Sequence, residues 1–249
     1  GNYNDQTAKL YTDMGLLTCS DAIGEDATAV FNMLSGYSEP KKWNKLAVAP
    51  IWLKDKFLML INREAENARQ GKKGRIVAKM NSLCDPVIMH ALYDASAAGV
   101  KIDLIVRGIC CIKAGVPGLS ENIKVRSIVG NYLEHSRIFY FYNDGFEDIY
   151  MGSADWMPRN LDKRVEITFP VEDPKLKSQI KDILKIQLAD TLKAHIMQPD
   201  GSYAKQDLRG KEKLDSQMYF VKKASEGHEP VKSAENSRVF IPVESSEEK

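Results

Sequence analysis

The chain has 249 residues, and its 35 lysines and arginines nearly balance its 34 aspartates and glutamates, which leaves a formal net charge of +1. This balance argues against a surface that coats nucleic acid, and an apolar share of 43% argues against an acidic disordered chain. The longest strongly apolar stretch, residues 46–53, contains a proline and is far shorter than the ~20 residues that a membrane-spanning helix needs. No transmembrane helix is therefore expected.

The cysteines and the first residues indicate the setting of the chain. Four cysteines do not make a disulfide framework at this length, and no Cys-x-x-Cys pair is present to bind zinc. Cys110 and Cys111 follow an apolar strand pattern, which favours their burial, and a reducing cytoplasm is the expected compartment. The beginning of the chain lacks a methionine, a basic segment and an apolar segment, so we expect a piece of a longer protein.

Two helices are predicted before the main sheet. Residues 25–34 have helical character, and residues 54–69 place Phe57, Leu60 and Ile61 on one side of a longer helix. The segment 40–43 between them combines a helix breaker with positive charge, which indicates a boundary.

The central part of the chain has the pattern of a parallel βαβ unit. Apolar, β-branched runs at 75–79, 101–106 and 123–128 predict strands, and residues 85–98 predict a helix between the first two. Asp85-Pro86 supplies a capping carboxylate followed by proline at the first helical position, which is typical of a helix start. We therefore predict an α/β fold with helices on the faces of the sheet.

Antiparallel strands are predicted to follow. Residues 137–142 and 147–151 form a hairpin pattern around Asn143-Asp-Gly-Phe, which has turn chemistry. A further strand at 164–169 leads through two prolines to an amphipathic helix at 175–192. The apolar residues of this helix are expected to form core.

Polar residues end two neighbouring strands of the predicted sheet. Lys79 and Asn81 end the first, and Arg107 with Gly108 ends the second. Open α/β sheets bind ligands beyond the carboxyl ends of their strands, so two basic ends favour an anion pocket over ordinary surface charge. Gly108 would leave the backbone free to bend beside the guanidinium.

A second pattern surrounds the predicted hairpin. His135-x-Arg137 precedes its first strand, residues 152–155 read Gly-Ser-Ala-Asp at its end, and Arg164-x-Glu166 follows. An imidazole, a hydroxyl and free backbone amides on one rim suit a tetrahedral phosphorus centre. Glu166 would either hold the imidazole tautomer or form an ion pair with Arg164, and both alternatives stay open.

These residues resemble the HxK and GSxN signature of the phospholipase D superfamily. Arg137 stands in place of the lysine, Asp155 in place of the asparagine, and Tyr142 where an aspartate would fall. The departures argue against a lipid or nucleic-acid phosphodiesterase, and they match a narrower family.

Residues 1–214 resemble the C-terminal part of bacterial polyphosphate kinases. The blocks that carry the resemblance, in the order of the family, are Gly1-Asn-Tyr-Asn, Thr7 to Asp13, Ala78 to Asn81, Ile105 to Cys110, Tyr132 to Arg137, and Ser153 to Met157 with Arg159-Asn160. The family implies a phospholipase D-like mixed sheet flanked by helices. It implies that residues 1–45 end a first catalytic domain and its linker, and that residues 46–224 form a second catalytic domain. The polar residues 225–249 are expected to be a mobile tail.

The resemblance also implies a reaction. The γ-phosphoryl group of ATP would pass reversibly to polyphosphate through a phosphohistidine upstream of Gly1, with Mg²⁺ whose ligands are expected outside this chain, so no metal ligand is assigned here. His135 and Arg107 would be catalytic and would contact ATP together with Tyr11, for which packing at a domain seam is the open alternative. The implied phosphate or polyphosphate ligands are Lys79, Asn81, Arg137 and Ser153, supported by Asp155 and Glu166.

Partners follow from the same resemblance: ATP or ADP and polyphosphate, no nucleic acid, and a homo-oligomer that is cytoplasmic or peripheral at the inner membrane. Polyphosphate is a dense polyanion, so a nearly neutral chain must gather its cations locally. Candidates for such a channel are Arg126, Arg137, Arg159 and Lys163, each with ordinary surface charge as its alternative.

Two other functions stay open at this level. A phospholipase D-type phosphodiesterase could work as a homodimer with one histidine motif from each subunit, and it would cleave a phosphodiester reporter. A non-catalytic polyphosphate- or nucleotide-binding module would bind anions with strong salt dependence and would never turn over.

Overall fold

The computed structural model describes residues 4–36, 38, 40–210 and 212–226. Residues 1–3 of the first resembling block and residues 227–249 of the predicted tail lie outside the described residues. No helix of the described part is long and apolar enough to cross a bilayer.

The described residues form eleven strands and six α-helices. The strands are β1 (Tyr11–Thr12), β2 (Ala47–Val48), β3 (Arg75–Met80), β4 (Lys101–Val106), β5 (Ile123–Ile128), β6 (Leu133–Glu134), β7 (Arg137–Phe141), β8 (Asp148–Gly152), β9 (Ile167–Val171), β10 (Ala194–Met197) and β11 (Tyr203–Lys205). The helices are α1 (Asp21–Leu34), α2 (Leu53–Arg69), α3 (Pro86–Ala97), α4 (Pro158–Asp162), α5 (Pro174–Leu188) and α6 (Ser216–Glu226).

Nine of these strands form one mixed sheet in the order β11-β10-β5-β4-β3-β7-β8-β9-β2. Strands β3, β4 and β5 run parallel, as the βαβ pattern predicts, and their other neighbours pair antiparallel. The predicted mixed sheet flanked by helices is thus confirmed. Strands β1 and β6 form a separate parallel pair.

Local sequence explains where the main elements begin. The Asp85 carboxylate accepts the Ile88 N–H at the start of α3, and Asp173 accepts two N–H groups at the start of α5. Between β7 and β8, Asn143 and Asp144 adopt φ of 46° and 53°, which short polar side chains tolerate best after glycine.

The sheet carries apolar layers on both faces. Ile76, Ala78 and Met80 of β3 pack in one cluster with α2 and α3, whereas Val77 packs in another with α5. This alternation is the period of two that a strand imposes. Lys79 shares the face of Val77, so it points towards α5.

Several predicted boundaries were wrong. Strand β9 begins at Ile167 rather than residue 164, and α5 ends at Leu188 because Asp190 then accepts the N–H groups of Lys193 and Ala194, which turns the chain into β10. Strands β10 and β11 and helix α6 were not predicted, and α6 includes the first residues assigned to the tail. The predicted burial of the cysteine pair fails for Cys111, which is exposed.

Candidate functional site

A cleft of about 890 Å³ opens where β7, β8 and β9 meet the β1–β6 pair. The polar residues that line it are Asp13, Ser82, His135, Ser136, Arg137, Ser153, Asp155, Arg159, Asn160, Arg164 and Glu166. The two halves of the predicted signature therefore meet on one rim. Gly152 permits this arrangement, because a Cβ there would lie 2.4 Å from the Ile167 carbonyl oxygen.

The imidazole of His135 is held on both of its nitrogens. Its Nδ1 lies 2.9 Å from Oδ2 of Asp13, and its Nε2 lies 2.9 Å from Nη1 of Arg137. A guanidinium only donates, so Nε2 accepts, and Nδ1 carries the proton that is donated to Asp13. The ring of Tyr11 meets the imidazole edge-on, with 5.1 Å between centroids. The arrangement selects one neutral tautomer of His135.

Asp13 is the site residue that sequence reasoning did not single out. It lies 122 residues before His135, and the parallel pairing of β1 with β6 brings the two together. Partial burial raises the pKa of the Asp13 carboxyl, whereas the hydrogen bonds from His135 and from the Met14 N–H lower it. The lowering effects together are larger, so the carboxyl pKa lies below its ordinary value. An ionised carboxylate thus faces Nδ1–H. Asp13 ends one of the resembling blocks, which was the available signal.

Arg137 connects the histidine to the interior of the sheet. Its Nε and Nη2 donate to the two carboxylate oxygens of Asp155 at 3.1 and 3.2 Å, while Nη1 also reaches the His135 carbonyl oxygen at 2.8 Å. Asp155 in turn accepts the Asn81 N–H at 2.8 Å. Two of the three departures from the phospholipase D signature, Arg137 and Asp155, therefore form one ion pair.

Arg107 lies at the far end of this network. Its Nε and Nη2 both donate to Oδ1 of Asn81, at 3.1 and 3.0 Å. Arg107 and Asn81 do not line the cleft, and they reach His135 only through Asp155 and Arg137. A continuous chain of hydrogen bonds thus joins the guanidinium of Arg107 to the imidazole.

Lys79 is placed differently from the predicted phosphate ligand. It is 2% exposed, and its ammonium donates to the carbonyl and hydroxyl oxygens of Ser136, both at 2.9 Å, with Glu134 at 3.5 Å. Burial lowers the pKa of Lys79 to about 8, although the Glu134 carboxylate opposes that shift. The structure thus puts this cation beneath the segment that carries His135, outside the cleft.

Replacing Lys79 with methionine should remove a pH dependence of stability. The pKa of Lys79 is lower in the folded state than in the unfolded state, so the unfolded chain binds the proton more tightly. The free energy of unfolding therefore increases as the pH rises above 8 and the buried ammonium loses its proton. From pH 8 to 10, the wild type should gain about 2 kcal/mol relative to Lys79→Met in urea unfolding. Lys101→Met, at an exposed position, is the control, and parallel curves for Lys79→Met and the wild type would contradict the prediction.

Ser153 and Glu166 line the cleft without touching the imidazole. The Ser153 hydroxyl accepts the Ile167 N–H at 3.2 Å, and Glu166 accepts the Asn160 amide at 2.6 Å. Of the two alternatives for Glu166, the structure shows the ion pair, since its carboxylate lies 4.0 Å from Arg164. The tautomer of His135 is held by Asp13 instead.

The candidate channel cations divide into two groups. Arg159 and Arg164 line the cleft beside Arg137. Arg126 does not: it is partly buried, donates to the Leu188 carbonyl at the end of α5, and has a pKa lowered by burial. Lys163 is exposed and is not part of the lining. Three guanidinium groups therefore face the opening.

Among the described residues, no group of three or more histidines, cysteines, aspartates or glutamates is placed to hold a metal ion. The predicted Mg²⁺ and its ligands stay a prediction.

Comparison with known proteins gives a consistent result. The family model "Polyphosphate kinase C-terminal domain 2" matches residues 46–217, and "Polyphosphate kinase C-terminal domain 1" matches residues 1–40. The chain is 58% identical over 203 residues to a Synechocystis polyphosphate kinase, covering 82% of the chain and 28% of the relative. It is 49% identical over 251 residues to one from Exiguobacterium sibiricum, covering 100% and 35%. The crystal structure of polyphosphate kinase from Porphyromonas gingivalis aligns with a TM-score of 0.85 at 40% identity, over 92% of this chain and 36% of that one. The chain thus spans about a third of these relatives.

Proposed function

This chain belongs to the polyphosphate kinase family, and from that premise we propose that it supplies one half of a site for reversible transfer of the ATP γ-phosphoryl group to polyphosphate. Residues 1–45 are assigned to the end of the first catalytic domain and its linker, and residues 46–224 to the second. The observation that carries the proposal is the oriented pair of Asp13 and His135 at a cleft rimmed by arginines.

The transfer is proposed in two steps. A histidine outside this chain attacks the γ-phosphorus, the bond to the bridging oxygen breaks, and ADP leaves. The terminal phosphate oxygen of polyphosphate then attacks the same phosphorus, and the N–P bond breaks. An N–P bond keeps a high transfer potential, which suits a reversible reaction.

His135 would serve both steps through Nε2. With Nδ1–H donated to Asp13, a proton gained at Nε2 creates an imidazolium that the carboxylate stabilises. That imidazolium can donate its Nε2 proton or a hydrogen bond to the oxygen that leaves or is transferred. A phosphate in the cleft would replace Nε2 as the partner of Arg137, which frees the nitrogen for this role.

Positive charge at the opening would stabilise the transferring group. Phosphoryl transfer depends mainly on positioned cations, because the charge is spread over the equatorial oxygens. Arg137, Arg159 and Arg164 already face the cleft, and Ser153 adds a hydroxyl. The Nε and Nη2 of Arg107 donate to Asn81, which leaves the Nη1 donors of Arg107 for another partner. We assign those donors to the phosphates of ATP.

Tyr11 would contact the nucleotide beside His135, since the two rings already touch. Mg²⁺, when bound by residues outside this chain, would neutralise phosphate charge. A homo-oligomer, and a cytoplasmic location or one peripheral at the inner membrane, stay predictions.

Formation of polyphosphate from ATP by a full-length kinase that carries this chain tests the function. A phosphodiester reporter tests the phosphodiesterase alternative, which the Arg137–Asp155 pair does not favour.

Replacing Asp13 with asparagine should lower kcat for polyphosphate synthesis by roughly 10- to 100-fold, which is less than loss of the imidazole, because the phosphate-facing nitrogen remains. Without the negative charge, an imidazolium that forms during transfer is less stable, and initial rates of polyphosphate formation measure the loss. Asp5→Asn, at an exposed position, is the matched control. An unchanged kcat for Asp13→Asn would remove Asp13 from the site.

A further inference from the structure

A buried amide from the last described helix holds the segment that leads into His135. Gln217, in the first turn of α6, is 3% exposed. Its Oε1 accepts the Tyr132 N–H at 3.0 Å, and its Nε2 donates to the Tyr132 carbonyl at 2.7 Å and to Glu134 Oε1 at 3.2 Å. One side chain thus satisfies both backbone groups of Tyr132 and one oxygen of Glu134.

The other contacts of this segment complete the clamp. The second oxygen of Glu134 accepts the Gln187 amide of α5 at 3.1 Å and lies 3.5 Å from the Lys79 ammonium. On the opposite side, the His135 N–H donates to the Thr12 carbonyl at 2.9 Å. The segment 132–135 is therefore held by side chains of α6, α5 and β3 and by the backbone of β1.

Helix α6 is itself fixed to the core. The Ser216 N–H and hydroxyl donate to Oδ2 of the fully buried Asp190, at 2.8 and 2.6 Å. At Gly130 a Cβ would lie 2.3 Å from Oε1 of Gln217, so the absence of a side chain makes room for the amide. Both facts leave the amide little freedom to move.

We propose that Gln217 is a positioning residue for His135: its amide sets the height and direction of the imidazole relative to the cleft. The proposal rests on the proposed function, since it assigns Gln217 to the same reaction. A displacement of about 1 Å in a catalytic group can cost as much as 10²-fold in rate. Gln217 does not line the cleft, and its side chain acts on His135 through Tyr132 and Glu134. Loss of the amide should therefore lower kcat rather than weaken the binding of ATP.

The test uses a full-length kinase that carries this chain, with Gln217→Met, which keeps the length of the side chain and removes its hydrogen bonds. We expect kcat for polyphosphate synthesis to fall about tenfold, with KM for ATP changed less than about twofold. The matched control is Gln198→Met, because the Gln198 amide donates to the Ile196 carbonyl in a turn after β10. Its kcat should equal the wild-type value.

Gln217→Glu provides a second readout that packing alone would not produce. An ionised glutamate at position 217 has no hydrogen to donate to the Glu134 carboxylate or the Tyr132 carbonyl. The other charged groups nearby are Asp215, next to it in the chain, and Lys79, on the far side of Glu134. A protonated glutamate regains one donor. The kcat of this variant relative to wild type should therefore rise at least about threefold from pH 8 to pH 6.

Both measurements are made at least 10 °C below the melting temperature of each variant. Wild-type kcat in Gln217→Met, or a pH-independent ratio in Gln217→Glu, would overturn the proposal. If Gln217→Met does not fold, the result for Gln217→Glu decides. An inactive wild type, or an active His135→Ala variant, would instead overturn the proposed function.

Discussion

Polyphosphate synthesis should fall by roughly 10²- to 10⁴-fold when His135 is replaced with alanine in a full-length kinase that carries this chain. The imidazole can accept a proton at Nε2 and donate it to a phosphate oxygen, and Asp13 holds the ring in one tautomer. Alanine removes the donor and leaves Arg137 without its nitrogen partner. Initial rates of polyphosphate formation from ATP measure the effect.

The His135 variant should remain folded, because its side chain is 27% exposed and its main backbone contact to Thr12 is kept. His195→Ala is the matched control, because His195 lies on β10 and its ring contacts the carbonyl of Lys193, which precedes that strand. Residual synthesis above about one fifth of the wild-type rate would contradict the role given to His135. Phosphodiester cleavage by the wild type, with no polyphosphate formed, would favour the phosphodiesterase alternative.

Replacing Asp155 with alanine should lower the free energy of unfolding by about 3–5 kcal/mol. The carboxylate is nearly buried, bridges the Arg137 guanidinium and accepts the Asn81 N–H. Alanine leaves the guanidinium without its counter-charge and the buried Asn81 N–H without its acceptor. Urea unfolding with an unchanged m-value measures the loss.

Two variants locate the origin of that effect. Asp155→Asn keeps an acceptor for the Asn81 N–H but removes the charge. Its free energy of unfolding should therefore lie between those of the wild type and Asp155→Ala. Glu172→Ala breaks the exposed ion pair with Lys45 and should cost less than about 1 kcal/mol. Equal costs for Asp155→Ala and Glu172→Ala would show that the buried pair does not stabilise the fold.

Much of the fold could be predicted from local pattern. Strands β3, β4 and β5 and helix α3 occupy nearly the predicted residues, because β-branched runs and the Asp85-Pro86 cap act over a few neighbours. Elements with weak periodicity were missed, because their partners are distant in the chain or are themselves unpredicted. Strand β10 pairs with β5, β11 pairs with β10, and Asp190 accepts the Ser216 hydroxyl at the start of α6.

The candidate site shows the same division. The meeting of His135, Arg137, Ser153 and Asp155 could be predicted from local pattern, because a hairpin sets their register over a short distance. Three features depend on long-range packing and could not be predicted this way: Asp13 orients the imidazole, Lys79 lies beneath it, and Gln217 holds its segment. Alternation along a strand says that neighbouring side chains face opposite ways, but the packing of α5, α6 and the β1–β6 pair determines what each face meets.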